Sequence, residues 1–395
     1  MLAKKSFLLA FSIFLGLSPV FWVPNISPVL IILFKWSLFV FISAYTVLFY
    51  LNRTFELPGR QFILLALVFM FLILVPYAAL GDNINSIIAL VNILQIIIFL
   101  MATKIVIKAK KVFFVLQRSV WIISFFVFLS VFFMLTDPLL TNPLAADLVL
   151  INTGFGNSRT GWGPAIGLFL PFLLFFSGYL SLIYLFVISQ ILTGGRTAFY
   201  LSLLAIPIVV YLEKSLKIKL KLIASLIVVY LVLFLYFPSL IGDFRVLNSL
   251  IYEDGIDLDD FSSGRIGRLQ NAWASIMESP FLGHGFYRSF LGEGVHNVFV
   301  KNWVYYGFVY FLLSVTVVVY ILVRSLKKIM NSNNFVDKKF FSLIFLVLGS
   351  GVLIGMVEPS IIFGNFNTFS IWWFCFALIA SDKFALTNES FGRRE

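Results

Sequence analysis

Apolar residues run through this chain in long blocks. Stretches of about twenty residues with almost no charge follow one another from Ser6 onward, separated by short segments rich in Lys, Asn, Gly or Pro. That length of helix crosses the hydrocarbon core of a bilayer, and a helix satisfies its own backbone there. The pattern predicts twelve spans, near residues 6–23, 29–51, 61–80, 84–102, 112–135, 163–177, 179–193, 198–212, 221–237, 298–323, 340–357 and 366–381. The sixth and seventh are short and separated only by Ser177, Gly178 and Tyr179, so a single broken element is the alternative. The expected fold is all-α: a polytopic membrane bundle forming one domain over residues 1–395. One large outer-face loop, residues 238–297, joins spans 9 and 10.

Composition agrees with the pattern. The chain is 61% hydrophobic and 12% charged, too little polar surface for a soluble domain. The first apolar run follows Lys4 and Lys5 as in a signal peptide, but it lacks a small-residue cleavage site and further spans follow at once, so it is read as the first span. The one cysteine, Cys375, lies in a late apolar run, which excludes an intrachain disulfide and a cysteine-built metal site.

Charge sets the expected orientation. With the start of the chain on the cytoplasmic side, 21 of the 29 Lys and Arg fall in cytoplasmic segments, and 12 of the 18 Asp and Glu fall in outer ones. This bias supports twelve spans with both termini cytoplasmic. It also accounts for the net charge of +11 without nucleic acid as a partner; the lipid bilayer is the expected one. The type of cation differs as well. The cytoplasmic cations are mostly Lys, whereas the outer ones are Arg159, Arg196, Arg245, Arg265, Arg268 and Arg288, with one Lys. Topology needs only charge, but an oxyanion is held best by the planar, bidentate guanidinium.

The outer segments hold the candidate chemistry. In the large loop, Ile266, Leu269, Trp273, Ile276 and Met277 recur at helical spacing from Arg265 to Glu278, an apolar stripe suited to lying on the membrane face. Ser262 or Ser263 is its candidate cap and Pro280 its stop. Arg265 and Arg268 share one side of its first turn. His296 and Asn297 stand at the entrance to span 10, where the positive end of the helix dipole disfavours the imidazolium and leaves a neutral ring able to accept a proton. Arg196 follows Gly194 and Gly195 at a span boundary, where a cation is costly unless it meets an anion. Arg159 is a similar case, and Glu358 at the outer end of span 11 either orients a substrate or simply faces water. The acidic run Glu253, Asp254, Asp257, Asp259 and Asp260 fails the calcium-loop template, and no metal site or cofactor is expected. The nucleotide-binding P-loop and the G-x-S-x-G serine motif are both absent.

Four segments together resemble the O-antigen polymerase and O-antigen ligase superfamily: T-G-G-R-T-A at 193–198, S-G-R-I-G-R-L-Q-N-A-W at 263–273, S-P-F-L-G-H-G-F at 279–286, and H-N-V-F-V-K-N-W-V-Y-Y-G-F at 296–308. G-N-S-R-T-G-W-G-P-A-I-G at 156–167 resembles a weaker upstream motif. The resemblance covers roughly residues 150 to 325. It implies a metal-independent, inverting glycosyltransferase of the bacterial inner membrane. Such an enzyme works on the periplasmic face and transfers a glycan from undecaprenyl pyrophosphate to a hydroxyl. It implies that Arg196 and Arg265 hold the pyrophosphate, that Arg159 and Arg268 assist, and that His296 is the base or a phosphate contact. Asn297, Arg288 and Glu358 are then candidate substrate contacts. Gly195 departs from the pattern, where serine is common, and His284 supplies a second candidate base. A loop of about sixty residues favours a polymerase, whose acceptor is another lipid-linked repeat unit; a chain-length regulator protein is a candidate partner that the sequence does not decide. A ligase acting on lipid A core is the alternative. A transporter of lipid-linked sugars would instead want polar residues near mid-membrane, where only Lys35, Asn85, Asn92 and Gln95 stand out.

Overall fold

A computed structural model describes residues 2–24, 26–51, 61–80, 84–136, 154–156, 159–176, 180–192, 220, 223–224, 265–285, 295–358, 363 and 366–381. Among them regular structure is helical throughout, with only an isolated bridge between Val23 and Ile26 outside the helices. The helices are α1 (Leu2–Leu17), α2 (Pro28–Leu51), α3 (Gln61–Leu80), α4 (Ile84–Lys108), α5 (Val112–Thr136), α6 (Arg159–Gly167), α7 (Leu170–Phe176), α8 (Leu180–Leu192), α9 (Arg265–Glu278), α10 (Val298–Met330), α11 (Phe335–Val357) and α12 (Ser370–Ala380). α2, α4, α5, α10 and α11 are long and apolar enough to cross a membrane. The chain is therefore read as an all-α, membrane-embedded protein. The expected span 198–212 and all but residues 223 and 224 of the span 221–237 lie outside the described residues, as does most of the loop 238–297.

Local chemistry explains where the helices begin. α2 opens on Pro28, whose missing N–H is no loss in a first turn. Asn297 caps α10, its Oδ1 accepting from the backbone N–H of Phe299 at 3.0 Å and of Val300 at 3.1 Å. Asn334 caps α11 in the same way through Val336. Several boundaries differ from the hydropathy reading. α4 and α10 run on to Lys108 and Met330, because Lys and Arg favour helix and can extend from apolar stems. α1 stops at Leu17 rather than near 23, where Phe21 and Trp22 donate instead to the carbonyl of Phe155. The sixth span is two pieces, α6 and α7, interrupted at Leu168 and Phe169. α12 has only 11 residues.

Side-chain contacts give the helices alternating directions. Lys35 near the start of α2 meets the end of α1, and Tyr50 near the end of α2 reaches the Met101 carbonyl late in α4. Phe133 late in α5 packs on Phe155, beside the end of α1. Tyr77 late in α3 donates to Leu282, close to the start of α10. Arg324 and Lys328 late in α10 reach the carbonyls of Ile379, in the last turn of α12, and of Ser381, its C-cap, placing cations at a helix C-terminus. The ends of α1, α3, α5 and α11 and the starts of α2, α4 and α10 thus share one end of the bundle. Lys4, Lys108, Lys110, Lys327 and Lys338 lie toward the other. Phenylalanines form the core between α1, α4 and α12: Phe11 and Phe14 meet Phe99, and Phe366 packs on Phe14, Phe39 and Phe99.

Lys35 is the buried cation of this core. Its ammonium donates to the carbonyls of Ser18 at 3.2 Å and Val20 at 2.9 Å, just past the early end of α1 where no helical donor follows. Lys35→Met keeps the apolar stem and removes both donors, leaving two buried acceptors unpaired. The expected loss is about 3 kcal/mol, read as a lower thermal midpoint of the detergent-purified protein. An unchanged midpoint would mean that the two carbonyls find other donors.

Candidate functional site

The site is built on a break in α10. Gly307 has φ 79° and ψ −179°, a backbone region essentially reserved for glycine. The break takes the Phe308 N–H away from its helical acceptor, the Val304 carbonyl. Residues 279–285, which follow α9, fill the gap. Phe308 donates to the Pro280 carbonyl at 3.0 Å, His284 N donates to Val304 O at 2.8 Å, and Gly285 N donates to Tyr305 O at 2.8 Å. The Trp303 indole also donates to Pro280 O at 2.8 Å, and Tyr77 donates to Leu282 O. Gly283, with φ 69°, passes so close that a Cβ there would stand 2.6 Å from Gly307 N and 2.7 Å from Tyr305 O. This clasp holds α9 against α10.

His284 belongs to the clasp. Its Nε2 lies 2.6 Å from the Ser275 carbonyl, which can only accept, so Nε2 carries the proton and donates. The ring ties the loop to the last turn of α9.

His296 is placed differently. Arg268, one turn into α9, brings Nη1 to 2.8 Å from His296 Nε2. A guanidinium nitrogen only donates, so Nε2 accepts and the ring proton resides on Nδ1. Nδ1 faces Oε2 of Glu358 at 3.9 Å, an electrostatic contact longer than a hydrogen bond. Glu358 ends α11 and is 3% exposed, whereas His296 is half-buried and Arg268 exposed. Three helix termini therefore set out a graded line, from a buried carboxylate through a neutral imidazole to a solvent-facing guanidinium. A neutral imidazole whose Nε2 lone pair is held by an exposed guanidinium and whose Nδ1–H faces a carboxylate has the arrangement of a general base.

Of the other residues singled out by sequence, Asn297 is the α10 cap that places His296. Arg159 and Arg265 are the first residues of α6 and α9, with side chains outside the described part of the structure. Arg196 and Arg288 also lie outside the described residues. Sequence reasoning grouped the outer arginines with His296 but did not pair Arg268 with it, and it assigned Glu358 no role beside the imidazole. The one available signal was that His296 and Glu358 both fall at the predicted outer ends of neighbouring spans. In comparison with known proteins, no family model matches the chain and no curated relative matches its sequence.

Gly307→Ala tests the clasp. The new Cβ would overlap the Phe281 carbonyl and the backbone conformation would be strained, at an expected loss of about 3 kcal/mol or more. Gly349→Ala, with no atom within 4 Å of its Cβ, should be neutral within about 0.5 kcal/mol. Equal melting of the two purified variants would refute the clasp.

Proposed function

We propose that this chain is a membrane glycosyltransferase that polymerises lipid-linked oligosaccharide repeat units on the outer face of the bacterial inner membrane. The observation that carries the reading is the contact of Arg268 with His296, backed by Glu358, at the end of the bundle away from the Lys-rich helix termini. That charge asymmetry supports a cytoplasmic Lys-rich end and a periplasmic site.

The reaction follows from the residues. Undecaprenyl pyrophosphate on a sugar is part lipid and part dianion. Arg265 and Arg268 open α9 one turn apart, and Arg196 and Arg159 join them as pyrophosphate ligands. An arriving pyrophosphate is a better partner for Arg268 than an imidazole lone pair, because the pairing is bidentate and charge-assisted. Its binding draws the guanidinium away and frees His296 Nε2. The acceptor sugar hydroxyl then gives its proton to Nε2 while its oxygen attacks the anomeric carbon from the side opposite the pyrophosphate. The carbon–oxygen bond to the pyrophosphate breaks, the configuration inverts, and the arginines stabilise the charge on the departing group. Glu358 favours the imidazolium formed in this step. Asn297 and Arg288 are candidate contacts to the glycan. In His284, only Nδ1 remains to act as a second base, since Nε2 is held by Ser275. No metal or cofactor takes part.

The test uses purified protein with its undecaprenyl-pyrophosphate repeat unit, a chelator and no nucleotide. A ladder of longer glycans is expected. His296→Ala should slow its appearance by about 10²- to 10⁴-fold, and Arg268→Ala, Arg265→Ala and Arg196→Ala should abolish donor use while the protein stays folded. Transfer only when lipid A core is supplied would make the chain a ligase. Movement of lipid-linked sugar across vesicles without transfer would end the enzymatic reading.

A further inference from the structure

The clasp sits at a depth where a loop is not ordinarily found. Arg324 is the first charged residue after the apolar run of α10. Counting back about twenty residues, the helical length of the hydrocarbon core, puts the opposite edge near Val304. Pro280 pairs with Phe308, and His284 pairs with Val304, at or just inside that edge. Non-helical backbone survives at such depth only where its polar groups are met by protein. Here several of them are: Gly283 N donates to Ser279 O, Ser279 Oγ donates to Gly283 O, and the carbonyls of Pro280 and Leu282 accept from Trp303 and Tyr77.

The side chains at this level are apolar and uncovered. α9 has three sides. Ala272, Ser275 and Ile276 are buried, Gln270, Asn271 and Glu278 are exposed and polar, and Leu269, Trp273 and Met277 form an exposed apolar sector between them. Phe281 and Leu282, at the tip of the loop, extend that sector and are 72% and 73% exposed. None of the five residues is charged. Trp273 meets Trp303 edge-on at 5.9 Å, and Trp303 stacks on Phe311, so the sector continues into the exposed face of α10 at Val309 and Leu312.

We infer that α9 and the loop after it form a lipid-immersed element. Leu269, Trp273, Met277, Phe281 and Leu282 enter the surface of the bilayer and hold the Arg268–His296–Glu358 line at a set height above the hydrocarbon. His296 lies eight residues before Val304, about 12 Å along the helix direction, which is the level of headgroup phosphates and beyond. The occupant is lipid, because the sector is continuous with the face of a membrane-length helix and carries no charge to recognise a soluble partner. This inference stands independently of the proposed reaction.

The test is spin labelling of the full chain in phospholipid nanodiscs, with cysteine introduced by Met277→Cys, Phe281→Cys or Leu282→Cys, each at an exposed position. Asn271→Cys serves as the aqueous control and Leu312→Cys as the lipid-facing control. Native Cys375 is buried, and unsubstituted protein gives its background. Power saturation with oxygen and with a water-soluble nickel complex then reports the surroundings. Positions 277, 281 and 282 should collide with oxygen in preference to nickel, as position 312 does, while position 271 shows the reverse. Nickel access at all three like that at 271 would overturn the inference. So would exclusion of both reagents or dipolar broadening between labels, since either would put protein on the sector. Any label whose protein is not monodisperse is replaced by the neighbouring two, which report the same surface.

Discussion

Backbone pairing in a medium without water is the constraint on which this structure depends. A helix that crosses a bilayer meets it automatically, and any departure from helix must be repaired by protein. α10 departs at Gly307 and is repaired by residues 279–285, whose donors and acceptors replace the missing rungs. The repair joins α9 to the membrane bundle. Without it, Arg268 would have no fixed position relative to His296.

The same bonds divide the two histidines. Both occur in the same stretch of sequence and both have an imidazole that can donate or accept. His284 presents Nε2 to a carbonyl and is committed as a donor; His296 presents Nε2 to a guanidinium and is committed as an acceptor. Partner chemistry, rather than residue type, makes one a tie and the other a candidate base. Glu358 adds to the distinction, because a buried carboxylate beside a ring supports its protonated form.

Charge elsewhere follows the rule that a buried or half-buried cation must meet an oxygen. Lys35 meets two carbonyls past the end of α1, and Arg324 and Lys328 meet the carbonyls of Ile379 and Ser381 at the end of α12. These cations stabilise helix ends that lie against neighbouring helices. Lys35 in particular turned from an apparent polar intrusion into a reason why α1 can stop early.

Hydropathy alone determined that the chain is helical and membrane-embedded, since an apolar run of twenty residues has no other stable arrangement in lipid. It also located α2, α3, α5 and α11 to within a few residues. The amphipathic pattern of α9 was legible for the same reason, because it depends on neighbours in sequence. Helix ends were less legible. α10 and α4 extend through Lys and Arg that hydropathy counts as breaks, and the interruption at Leu168 and Phe169 carries no apolar-to-polar signal. The pairings of Arg268 with His296 and of Glu358 with His296 join residues 28 and 62 positions apart. Only the tertiary structure decided them, because which helix ends meet is set by packing across the bundle and by the clasp at Gly307, neither of which leaves a local trace in the chain.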